Sequence, residues 1–125
     1  MSIAALAYIA SLMQHMGIPY EFMRWQAETP DDFYFVGEYI EAPSPTKEES
    51  GKQETTFILR GFTRGSWLLL EQAKAKIEKQ CAKTAILSDG SGIAVFYDSA
   101  TVVPTGDNEL KSIKINLTIQ EWSVN

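Results

Sequence analysis

Ile113-Lys114-Ile115-Asn116-Leu117-Thr118-Ile119-Gln120 places four aliphatic side chains at odd positions and four polar ones at even positions. Successive side chains leave a strand on opposite faces, so this period of two describes a strand buried on one face and wet on the other, as in an antiparallel sheet covered on one side only. The stretch 93–103 reads as its hairpin partner, joined through Pro104-Thr105-Gly106-Asp107-Asn108. A long closing hairpin over 92–122 therefore organises the chain, and the upstream residues must cover its apolar face.

The nearest upstream cover is a helix over 66–82. Ser66 is a fitting N-cap, and Ser66, Leu70, Ala73, Ile77 and Cys81 share one stripe, with Lys76, Lys79 and Lys83 opposite. Leu68 breaks the pattern by projecting on the lysine side, which makes it a candidate contact residue. Before this helix, 54–63 alternates Thr55, Phe57, Leu59 and Gly61 against Thr56, Ile58 and Arg60, and 33–40 is strand-like by its aromatic and β-branched content. Gly37 inside the latter marks a bulge. Two strands flanking one loop form an antiparallel hairpin. The loop, at about 41–53, holds Pro43, Pro45, Glu48 and Glu49 with no apolar period, the composition of a flexible, projecting segment.

At the start of the chain, 2–16 fits a helix capped by Ser2, with Ile3, Leu6, Ile9, Ala10, Met13 and Met16 on one broad face and Tyr8, Ser11, Gln14 and His15 on the other. Gly17 and Pro19 stop it. Short strands are expected within 20–25 and 84–87, with a turn over 88–92. The order helix, strands, helix, strands predicts an α+β fold: a two-layer sandwich in one domain, 1–125, whose mainly antiparallel sheet carries two helices on one face.

A chain of 125 residues, 45% hydrophobic and 22% charged, is long enough to bury roughly two-thirds of its unfolded surface without staples. Its single cysteine cannot bridge internally, which fits a reducing compartment. The net charge of −5 argues against tight, non-specific adhesion to nucleic acid. No run approaches the roughly 18 apolar residues of a membrane-spanning helix, so no membrane partner is expected.

Each candidate catalytic group has a structural explanation. His15 falls in a helix's last turn, where a cation suits the exposed carbonyls. Cys81 lies on an apolar stripe, far in sequence from that histidine, not in the electropositive setting a thiolate needs. Asp31-Asp32 and Glu48-Glu49 read as solvated charge. Asp89-Gly90-Ser91-Gly92 lacks the further acids of a calcium loop, and Gly61-Phe62-Thr63-Arg64-Gly65 lacks the Lys-Ser/Thr pair of a phosphate loop. Lys74, Lys76, Lys79 and Lys83 interleave with Glu71 and Glu78 and have no aromatic platform beside them, so they read as a solvated helix face. The expectation is a protein without catalytic residues, metal or cofactor, and not an enzyme.

Thr56-Phe57-Ile58-Leu59-Arg60-Gly61-Phe62 leads through a short turn into an amphipathic helix, and Val95-Phe96-Tyr97-Asp98 returns as Ile113 to Ile119. This order, covering nearly the whole chain, resembles the tail-terminator and head-to-tail joining proteins, minor tail or minor capsid components, of long-tailed bacteriophages and prophages. The resemblance implies a non-enzymatic virion protein, assembled in the bacterial host cytoplasm. Such a protein closes into a ring, typically hexameric, caps the tail tube and docks to the head connector, with DNA passing through unread. Under this resemblance, the loop residues Pro43, Pro45, Glu48 and Glu49 and the residue Leu68 are candidate subunit or partner contacts, while the polar row of the last strand, with Lys114, Thr118 and Trp122, suits either plain solvent or a wet subunit contact. Two other classes remain: a small ligand-binding or hydrolytic α+β domain with a polar cavity between its layers, and a prophage accessory protein that binds a host partner.

Overall fold

In the computed structural model, which describes residues 1–25, 28, 32–41 and 52–123, Ser2 has an extended backbone and its hydroxyl accepts the Ala5 N–H at 3.1 Å. That bond satisfies one of the donors a helix start leaves unpaired and begins α1 (Ile3–His15). The helix ends in a Schellman motif. Gly17 takes the left-handed conformation (φ 72°) while Gly17 N–H donates to Gln14 and Ile18 N–H to Met13. The buried face of α1 is Ala5, Ile9, Leu12 and Met13, continued by Met16. The expected phase is corrected here: Ile3 is 87% exposed and Ala10 is exposed, whereas Tyr8 packs partly buried against the core.

The strands are β1 (Tyr20–Phe22), β2 (Phe33–Glu41), β3 (Lys52–Thr63), β4 (Thr84–Ile86), β5 (Gly92–Val103) and β6 (Lys111–Trp122), and the second helix, α2, spans Trp67–Cys81. Ser66 caps α2 by accepting the Leu68 N–H at 3.1 Å, and Leu70, Ala73, Ile77 and Cys81 are its buried stripe. The strands form one sheet in the order β1-β2-β3-β6-β5-β4. The closing hairpin thus sits next to the centre: β6 pairs antiparallel with both β3 and β5 over nearly its full length.

The α+β class holds, but a flat two-layer sandwich does not describe the sheet. Its pairs are antiparallel except β1–β2, which is parallel (Tyr20 opposite Phe35, Phe22 opposite Gly37), and the mixed sheet curls into a half-barrel. Strands of twelve residues accumulate right-handed twist, and an extra residue in β5 between Tyr97 and Ser99 bends it further. The bulge expected at Gly37 is absent, because β2 and β3 pair without interruption from Phe33–Thr63 to Glu41–Thr55. Gly37 instead leaves room for the Tyr20 hydroxyl and the Phe57 ring, which a Cβ would meet at 2.5 and 2.8 Å. Of the loop expected at about 41–53, Glu41 belongs to β2 and Lys52 and Gln53 to β3, and 42–51 lie outside the described residues.

The inner face of the half-barrel holds Ile113, Ile115, Leu117 and Ile119 of β6, Phe57 and Leu59 of β3, Phe35 of β2 and Val95 of β5. The buried stripes of α1 and α2 join them in one core. The outer face has no helix over it among the described residues. Pairing sets its rows: Ile40–Thr56–Thr118–Phe96, Glu38–Ile58–Asn116–Ser99, Val36–Arg60–Lys114–Thr101 and Tyr34–Phe62–Ser112–Val103.

Candidate interaction surface

Groups that suggested chemistry in the sequence fall apart in space. Cys81 is buried, and burial pushes its thiol up to about 11, so it stays protonated and poorly nucleophilic. Burial outweighs the opposing pull of the Lys83 ammonium, the Tyr8 hydroxyl is itself pushed up by burial and then by Cys81, and His15 lies exposed in the last turn of α1. Lys74 pairs with Glu71 at 2.9 Å along α2. Among the described residues no three His, Cys, Asp or Glu side chains gather as metal ligands.

Lys114, Thr118 and Trp122 all lie on the outer face of β6, as their even spacing requires. Lys114 sits between Arg60 and Thr101, and Thr118 lies beside Phe96 and donates its hydroxyl to the Asp98 carboxylate. The same row continues with Asn116 donating to Ser99 at 3.0 Å and Gln120 donating to Glu54 at 3.4 Å. The Trp122 indole covers Gly92. Leu68 is 60% exposed, but on the first turn of α2 and so away from this row. Pro43, Pro45, Glu48 and Glu49 lie outside the described residues.

Sequence reasoning missed the most distinctive feature of the outer face. Where β1 ends, Met23 has φ 73° and Arg24 N–H donates back to Phe22 at 3.0 Å, which is a classic γ-turn, a rare and strained one. The turn is tied to the sheet by the Met23 N–H donating to Gly37 at 2.7 Å. It swings Met23, Arg24 and Trp25 over the outer face of β2 and β3, where they border a hollow of about 350 Å³. Tyr34 and Phe62, cross-strand neighbours, stack with centroids 5.2 Å apart, and Trp25 leans on Tyr34 at 5.2 Å. The Trp25 indole N–H donates to the Glu28 carbonyl at 3.1 Å, which fixes the ring. Across the hollow, Arg60 donates to Glu38 at 2.6 Å, whereas Arg24 is exposed and has no carboxylate partner among the described residues.

The hollow therefore combines an aromatic floor, a flexible thioether and a guanidinium without a carboxylate partner among the described residues, on a chain of net charge −5. The signal in the sequence is the set Arg24, Trp25, Tyr34 and Phe62, but only the pairing of β1 with β2 and the turn at Met23 bring them together. A second hollow, of about 490 Å³, lies at the other end of the sheet between α2 and β5, lined by Glu78, Lys83 and Phe96 among others. No protein-family model matches the chain, and no curated protein matches it.

Proposed function

We propose that the chain is a non-enzymatic structural protein of a long-tailed bacteriophage or prophage. It assembles with copies of itself into a ring, caps the tail tube and joins it to the head. The observation that carries this reading is the outer sheet face: free of helices among the described residues, polar along β6, and both aromatic and cationic at its β1–β3 end. Plain solvent exposure requires no such composition. Trp, Tyr and Arg concentrated in a partly desolvated hollow are the residues that anchor protein interfaces. A cationic patch on an acidic chain also complements most of the remaining surface of another copy.

The inner face supports the same reading over a ligand-binding domain, because its described side chains Phe35, Phe57, Leu59, Ile115 and Leu117 are apolar and fully buried in one cluster with both helices. Net negative charge suits a ring through which DNA passes without adhering. Negative-stain imaging of the purified protein, alone and mixed with tail tubes, tests the proposal. Rings in solution and at one end of the tubes are expected; bare tube ends and fields without rings contradict it.

A further inference from the structure

The β1–β3 hollow has the chemistry of a receptor. Its floor is the Tyr34–Phe62 stack, its walls are Trp25 and Met23, and its rim carries Arg24 beside the neutralised Arg60–Glu38 pair. Met23 holds a positive φ that only glycine, lacking a Cβ, adopts without penalty, yet it is 63% exposed and gains little from the isolated fold. Strain kept without burial marks a position shaped for contact. An apolar side chain with a carboxylate next to it is the complementary ligand.

The same hollow of another copy does not supply that ligand, because two Arg24 guanidiniums would face each other. A contact between copies through this site therefore joins the hollow to a different patch of the other copy. The sheet order shows where its other half lies. β1 is one edge, and the opposite edge is β5 with its short neighbour β4, which pairs only with Gly92–Ala94. From Phe96 onward no strand lies outside β5 among the described residues. Phe96 points to the outer face and is 48% exposed, and Asp98, the extra residue of the bulge, brings a carboxylate two residues on. Thr118 donates to Asp98 Oδ2, which steadies the carboxylate and leaves Oδ1 for an incoming cation.

We propose that the hollow bordered by Met23, Arg24 and Trp25 in one copy receives Phe96 of the next, with Arg24 pairing to Asp98, so that copies add head to tail along the direction of strand order. This seam rests on the ring reading. It makes Thr118 a positioning residue and places Lys114 beside, not within, the contact.

The test is native mass spectrometry of the full chain and two variants. Arg24→Glu removes the acceptor, and Phe96→Ser with Asp98→Asn removes the donor. Both sites are exposed, so circular dichroism and melting should match the wild type, while each variant alone loses about 100-fold or more in self-affinity. An equal mixture should form a one-to-one dimer and stop there, since one variant keeps a working donor and the other a working acceptor. Wild-type assembly by either variant overturns the seam and leaves the ring reading standing. A mixture that stays monomeric while the wild type assembles overturns the pairing of these two surfaces. A wild type that is monomeric at every concentration overturns both the seam and the ring, and leaves the hollow to a different protein.

Discussion

Gly92 starts β5 beneath the Trp122 indole, and a Cβ there would lie inside that ring's van der Waals envelope. Gly92→Ala must push the indole off the outer face or distort the edge of the sheet, at a cost of about 1–3 kcal/mol. Urea unfolding should show a lower midpoint with an unchanged slope; an unchanged midpoint would mean that Trp122 moves freely. Met23 is the opposite case, a side chain whose backbone is strained. Met23→Gly relieves a left-handed penalty of about 1–2 kcal/mol, partly offset by glycine's greater unfolded entropy. The variant should melt higher by a few degrees and assemble less well. A lower melting temperature would show that the turn is not a store of strain. Such opposition between stability and contact is what a functional position produces.

β1 binds the edge of the sheet through Tyr20, whose ring lies over Gly37 and whose hydroxyl burial pushes up to about 12. In the unfolded chain the same group ionises near 10. Tyr20 therefore contributes fully to stability below about pH 10, and the contribution disappears as pH rises from about 10 towards 12, because the unfolded state then releases a proton that the folded state retains. Comparing urea midpoints at about pH 9 and about pH 11 should show a larger fall for the wild type than for Tyr20→Phe. Equal falls would mean that the hydroxyl is solvated in the folded protein.

How legible each element was follows from its pattern. β6 was readable because its alternation is uninterrupted, and α2 because its stripe is bordered by charge. The phase of α1 was misread because Ile3-Ala4-Ala5-Leu6-Ala7 is apolar all round, so the wheel has no contrast. Packing chose the face instead, and the small Ala5 lets the helix start sit close over the sheet, where Ser2 donates its hydroxyl to the buried Glu121 at 2.6 Å. Three residues of β1 carry no period at all, and whether they pair parallel depends on the path of the chain through 23–32, which no residue type announces. For the same reason the hollow was invisible: its residues lie on two strands and a turn, and Met23 is not a residue expected at a positive φ. Of the contact residues expected from the sequence, Lys114, Thr118 and Trp122 share a face, whereas Leu68 lies apart from it.

The whole molecule separates its tasks by surface. One face of the curled sheet packs a core shared with both helices, and the other, bare of helices among the described residues, has a cationic aromatic hollow at one edge and an aromatic, acidic strand edge at the other. Unlike surfaces at the two ends of one sheet favour head-to-tail addition, which closes into a ring when the rotation between copies divides a full turn and otherwise runs on as a filament. The central claim is that this chain closes with copies of itself. Sedimentation velocity from dilute to concentrated solution measures it directly. The account predicts one discrete assembly whose mass is a whole-number multiple of 14.0 kDa, of fixed size once formed. A 14.0 kDa species throughout, or an open series that keeps growing with concentration, would contradict it.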